Sequence, residues 1–148
     1  MPPCIEHHDS DLGRWTLARW TPPGLEEVVE GLWYFEGTLT HLRERHFPSG
    51  RGEIIVHLGP LYRRVEPEAT GTFPAVCMSG LLLGPEVIEA PPGPTAVLGI
   101  RLHPVGAYRV LAHTLEPLTG ITVDLQDLTD PDARQLLDRC RAVEGADA

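Results

Sequence analysis

The hydrophobic period of segment 97–111 changes midway, and this change orders the architecture of the whole chain. Up to His103 it alternates, with Leu98, Ile100 and Leu102 on one face and Gly99, Arg101 and His103 on the other, as in a half-buried strand. From Pro104 onward the apolar positions are Ala107, Val110 and Leu111, spaced three or four apart as in a helix. Pro104 suits a first helical turn, where its fixed φ is pre-set and its missing N–H leaves no bond unmade. A sheet therefore runs directly into a helix here.

The segments before this point read as strands. They fall at about 14–20, 32–35, 40–47, 53–58, 61–66, 75–83, 87–90 and 95–103, punctuated by Pro22-Pro23-Gly24, Pro48-Ser49-Gly50, Gly59-Pro60, Gly84-Pro85 and Pro91-Pro92-Gly93-Pro94. A helical turn over 25–30 interrupts them. Short strands at this spacing predict a β barrel or sandwich. Two helices follow. One spans 104–114; the other starts with Asp130 as N-cap, Pro131 at its first position and Asp132 in its first turn, and Gly145 closes it. The predicted organisation is a loose arm over 1–12, a β barrel over 13–103 and a helical layer over 104–148.

The chain has 148 residues, enough for one domain burying roughly two-thirds of its unfolded surface. No apolar run approaches the ~18–20 residues that span a bilayer, and the N-terminus lacks a basic-then-apolar signal pattern, so a cytoplasmic protein without membrane contact is expected. The net charge is −9 and all twelve cations are Arg, which argues against a surface that grips a phosphate backbone. Three separated cysteines with no C-x-x-C pattern fit a reduced compartment, with Cys77 as a small buried hydrophobe.

Seven histidines raise the question of a metal. A site inside a small barrel wants a His-x-His pair on one strand, and none occurs; His41 and His46 have opposite strand parity. No metal and no other cofactor is expected. Glu53 and His57 share one strand face with Ile55 between them, opposite Ile54, Val56 and Leu58. That face either points to solvent or lines a cavity with two polar anchors among apolar walls. Trp15, Trp33, Tyr34 and Phe47 are either core or the wall of the same cavity. Trp33 and Tyr34, being adjacent, cannot both face inward. No G-x-S-x-G, P-loop or G-x-G-x-x-G pattern is present, so nothing points to catalysis.

Three segments in order resemble the N-terminal domain of AraC-type transcriptional regulators. They are Val29-Glu30-Gly31-Leu32-Trp33-Tyr34-Phe35-Glu36-Gly37, then Phe47-Pro48-Ser49-Gly50-Arg51-Gly52-Glu53-Ile54-Ile55-Val56-His57-Leu58-Gly59, and then Leu83-Gly84-Pro85 followed by Gly99-Ile100-Arg101-Leu102-His103-Pro104-Val105-Gly106-Ala107. The resemblance spans about 14–142. It implies a cupin-like (double-stranded β-helix) barrel that senses a small molecule, followed by helices that make dimer contacts. It also implies a C-terminal pair of helix-turn-helix units, for which too few residues follow Val143, so DNA would be reached only through a module outside this chain. Ser49, where the family often has an acidic residue before Gly, and Leu102, where it prefers Phe, depart from the pattern.

The expectation is thus an effector-sensing and dimerising domain, not an enzyme. Candidate ligand-binding residues are Trp33, Tyr34, Phe47, Glu53 and His57. Candidate homodimer residues are Leu136, Leu137, Cys140 and Val143, which form one stripe. Two alternatives stand beside it: a cupin-like isomerase or oxygenase built on Glu53 and His57, and a solid barrel that serves protein interaction.

Overall fold

Strand β10, Thr95–Leu102, runs through the middle of the larger of two antiparallel sheets, and the helix that follows folds back over that sheet's outer face. The computed structural model describes residues 2–65, 71–112, 114–129 and 132–143. In chain order the elements are β1 (Cys4–Ser10), β2 (Gly13–Trp20), β3 (Val29–Leu39), β4 (Arg43–His46), β5 (Gly52–His57), β6 (Arg63–Arg64), β7 (Gly71–Thr72), β8 (Val76–Ser79), β9 (Glu86–Glu89) and β10. Then come α1 (Pro104–Leu111), a 3-10 turn (Glu116–Leu118), β11 (Thr122–Asp124), α2 (Gln126–Thr129) and α3 (Asp132–Arg141). The chain is mostly β, as its spacing predicts.

The seven-stranded sheet has the order β1-β2-β3-β10-β5-β8-β11 and the four-stranded sheet β4-β9-β6-β7. Register brings side chains into rows across the large sheet. Gly31, Arg101, Glu53, Ser79 and Thr122 form one row, Arg19, Trp33, Gly99, Ile55 and Cys77 the next, and Leu17, Phe35, Val97 and His57 a third. All three rows lie on the face turned toward the small sheet. The alternate residues Leu32, Ile54, Val56, Val76, Met78, Leu98, Ile100 and Leu102 take the outer face, where they join Ala107, Leu111, Leu115, Leu118, Leu125 and Leu137 in one apolar core. Val56 and Met78 are fully buried there. A smaller cluster of Tyr62, Ile88, Ala90 and Val97 sits between the sheets.

Two glycines are required by close approach. A Cβ on Gly106 would stand 1.9 Å from the Val28 carbonyl oxygen, so glycine lets α1 press against the turn before β3. A Cβ on Gly99 would stand 2.0 Å from the Trp33 indole, which lies flat across its cross-strand neighbour.

Several expectations are corrected. Residues 4–10 are not a loose arm: they pair in register with β2 and are fastened by Arg14–Asp9 and Arg19–Glu6 ion pairs at 2.9 and 2.6 Å. The helix begun at Pro104 stops at Leu111, short of 114, because Ala112 turns left-handed at φ 56°. The helical turn over 25–30 ends sooner, since Val29 already belongs to β3 although its N–H still bonds the Leu25 carbonyl at 2.8 Å. β11 and α2 were not foreseen. The capping positions Asp130, Pro131 and Gly145 lie outside the described residues.

The stripe on α3 is also used differently. Leu137 is buried and Leu136 and Cys140 are half-buried against the chain's own core, because α3 packs on β8 and α2. Only Val143 is exposed. Three of the four stripe residues therefore pack within the chain. No helix among the described residues is long and apolar enough to cross a membrane.

Candidate functional site

Between the two sheets lies a cavity of about 720 Å³, within the range of ~300–1,000 Å³ usual for small-molecule sites. Its large-sheet wall is the inner rows of β3, β10, β5 and β8, carrying Trp33, Phe35, Val97, Ile55, Cys77 and His57. Its small-sheet wall carries Glu44, His46, Glu86 and Ile88, and Tyr62 and Phe73 come from the segments flanking β6 and β7.

Four of the five predicted ligand-binding residues border it. Trp33, Glu53 and His57 stand on the inner face, and Phe47 follows β4 at the mouth, largely exposed. Tyr34 does not. Strand alternation sends it to the outer face, where its hydroxyl donates to Glu36 at 2.7 Å. Trp15 stacks on His8 instead, with ring centroids 3.9 Å apart. The Glu53–Ile55–His57 face thus lines a cavity and does not point to solvent.

His57 is the most constrained of these groups, only 4% exposed. Its ring lies 5.8 Å from that of Tyr62 and 6.2 Å from that of Phe73. Its Nδ1 lies 3.0 Å from the Pro74 carbonyl oxygen, which can only accept, so Nδ1 carries the proton. Burial holds the ring below its ordinary pKa and therefore neutral, which leaves Nε2 as a lone-pair acceptor. Cys77, behind it in the same wall, has its thiol pushed up to about 12, chiefly by burial, and stays protonated.

The charged groups are mostly committed to one another. Arg101 donates to Glu53 at 2.7 Å across β10 and β5 while its side chain stays partly exposed. Arg64 donates to Glu86 at 2.7 Å and lies 5.1 Å from the centre of the Phe73 ring, and Arg51 pairs with Glu30. Glu44 differs, since its contacts are His46 at 3.4 Å and His41 at 3.7 Å. The hydrogen bond to Glu44 raises the His46 pKa. Strand parity was the wrong guide to this pair, because His41 precedes β4 and is not bound by its alternation.

Sequence reasoning missed Glu44, His46, Tyr62, Phe73 and Glu86. For Glu44 and His46 a signal existed, since their i, i+2 spacing places them on one strand face. Tyr62 and Phe73 flank two-residue strands that carry no readable period. A metal at this place would need converging ligands, and among the described residues no three His, Cys, Asp or Glu side chains come together to hold one.

A mostly β domain with an apolar, sparsely polar cavity between its sheets and helices over one back is the class that this geometry defines. Residues 21–124 match the family described as Domain of unknown function (DUF6597), and the chain belongs to that family. The matched span runs from the turn before β3 through β11, and includes both cavity walls. No curated protein matches the sequence significantly.

Among solved structures the chain is similar to an HTH_3 family transcriptional regulator from Vibrio cholerae, at 13% identity over 61% of this chain and 51% of that one, with a TM-score of 0.46. It is also similar to a putative ethanolamine utilization protein Q from Salmonella typhimurium (10% identity, 69% and 96% covered, TM-score 0.44). A third similarity is to an oxalate decarboxylase from Lactobacillus farciminis (14% identity, 95% and 39% covered, TM-score 0.42). The chain spans about half the length of the regulator and less of the decarboxylase. At these scores no ligand, metal or activity is carried over.

Proposed function

We propose that this chain is the effector-sensing domain of an AraC-like transcription regulator. A small molecule enters the cavity between the sheets, and the helices over 104–141 report its presence. One observation carries the reading: the helical core is built on the back of the same strands whose front lines the cavity. On β5, Glu53, Ile55 and His57 face the cavity while Ile54 and Val56 pack under the helices. Strand order supports the barrel half of the reading. From β3 to β10 the chain alternates between sheets, save that β6 and β7 pair within the small one, to give β3-β10-β5-β8 facing β4-β9-β6-β7, the pattern of two Greek keys in a jelly roll, or double-stranded β-helix. DNA would be bound by a separate module and not by this acidic domain.

The test is a thermal-shift screen of benzene- and indole-based compounds against the wild type and Ile55→Trp, whose indole occupies the cavity. A compound at about 100 times its Kd adds ~2.7 kcal/mol, or roughly 5–10 °C for a domain of this size. Such a gain should appear in the wild type and vanish in the variant. No gain from any compound, or an equal gain in both proteins, would sink the sensor reading and leave a protein-interaction domain in its place.

A further inference from the structure

We propose that the cavity takes an organic cation, a flat apolar body bearing a protonated amine or amidine that donates N–H groups to the Glu44 carboxylate and to Nε2 of His57. The inference rests on the sensing reading above and names the chemical class of its effector.

The argument is one of which polar groups the cavity has left to offer. Its arginines are committed. Arg101 is bound to Glu53, Arg51 to Glu30, Arg64 to Glu86 and Arg19 to Glu6. An anionic ligand would compete with the carboxylate that each of these arginines already holds, and at Arg64–Glu86, the most enclosed of the pairs, it would leave that carboxylate uncompensated. The acceptors are not committed. Nε2 of His57 has no partner among the described residues, on a side chain more than nine-tenths buried whose other nitrogen is fixed by Pro74. Glu44 is the cavity carboxylate without an Arg, held only by two imidazoles.

The two acceptors stand on opposite walls. Tyr62 lies between them, its ring 5.8 Å from that of His57 and its hydroxyl within the field of Glu44. Trp33, Phe35, Tyr62 and Phe73 supply π faces, which attract cations and flat rings alike. An occupant rich in N–H donors therefore satisfies both acceptors, and one rich in acceptors satisfies neither.

The experiment compares three probes with one ring: 2-phenylethylamine, 2-phenylethanol and 3-phenylpropionate. Binding is followed by calorimetry at about pH 8, where the amine is protonated and the propionate ionised. The amine is expected to bind about tenfold tighter than the alcohol, with the propionate weakest. Glu44→Gln should bring the amine down to the alcohol's affinity and leave the alcohol unchanged. His57→Phe should weaken both, since either can donate to Nε2.

Glu44→Gln removes a charge at a half-exposed position, and an unchanged melting temperature would certify its fold. Should the alcohol or the propionate match the amine and lose binding in Ile55→Trp, the cationic class is overturned and the sensing cavity stands. Should none of the three bind the wild type, the class falls, and the compound screen separately decides the cavity.

Discussion

Replacing Leu137 by Ala separates two uses of the α3 stripe. The same Leu136, Leu137, Cys140 pattern reads in the sequence as a dimer face and in the structure as the chain's own packing. Leu137 is 9% exposed and belongs to the core under the helices. Truncating a buried Leu to Ala costs about 2–5 kcal/mol, the spread depending on how far the site collapses. Here α3 is a peripheral helix on β8 and α2, so collapse is easy and the low end applies, ~2–3 kcal/mol. For a domain of this length that lowers the melting temperature by roughly 5–10 °C.

Urea denaturation followed by circular dichroism, at two protein concentrations a hundredfold apart, reads the difference. Intramolecular packing gives the same loss at both concentrations and an unchanged sedimentation profile. Val143→Ala, at an exposed position, should stay within about 0.5 kcal/mol of the wild type. A loss below ~0.5 kcal/mol for Leu137→Ala would refute the packing assignment. So would a midpoint that falls only in the dilute sample while a dimer dissociates.

Other outcomes follow from the same geometry. Gly99→Val pushes a side chain into the Trp33 indole, and should cost about 1–3 kcal/mol as overpacking does while shifting Trp fluorescence. Burial holds His57 below its usual ~6.5, so the stability it brings is whole above that pH and is lost on acidification toward its folded value. His57→Phe should therefore flatten the fall in urea midpoint between about pH 7 and 5. His46, held up by Glu44, works the other way: its contribution is present below ~6.5 and lost as pH rises through its raised pKa, so His46→Gln should lose stability on the acid side only. With reagent for free thiols, exposed Cys4 should react at once and buried Cys77 only on unfolding. In a polarisation titration at physiological salt this acidic domain alone should leave duplex DNA unbound at micromolar concentration.

What could be read from the sequence followed the hydrophobic period. Strands β5 and β10 are legible because one face of each meets a helical core, so Ile54, Val56, Leu98, Ile100 and Leu102 keep strict alternation. Glu53 and His57 were legible as a shared face for the same reason, although only the second sheet decides that the face is a cavity wall. β1 was not legible. Its residues Cys4-Ile5-Glu6-His7-His8-Asp9-Ser10 are almost wholly exposed on both faces, and backbone pairing with ion pairs holds it, leaving no apolar period to detect. The α3 stripe shows the complementary limit: an amphipathic pattern records that a face is covered, not whether a sheet of the same chain or a second copy covers it.

Whether an occupant of the cavity is felt outside depends on which wall it moves. The centre of the large sheet is its longer-stranded part: β3, β10 and β5 have 11, 8 and 6 residues, paired with one register shift at Arg101/Leu102, and Val56, Met78 and Leu102 are fully buried beneath the helices. Close packing leaves no slack there, so a displacement of β5 carries Ile54 and Val56 with it and shifts the contacts of Leu111 and Leu115. The small sheet is made of strands of two to four residues and has no helix on its back among the described residues. On the proposed reading it is the wall that yields. A ligand held by the small sheet alone would be accommodated by that sheet and leave the helices unchanged, however tightly it bound, because only differential affinity for two states shifts a population. An occupant that bridges Glu44 on β4 and His57 on β5 draws the yielding wall against the large sheet. On the proposed reading that bridge, and not affinity for either wall, is what converts occupancy into a signal.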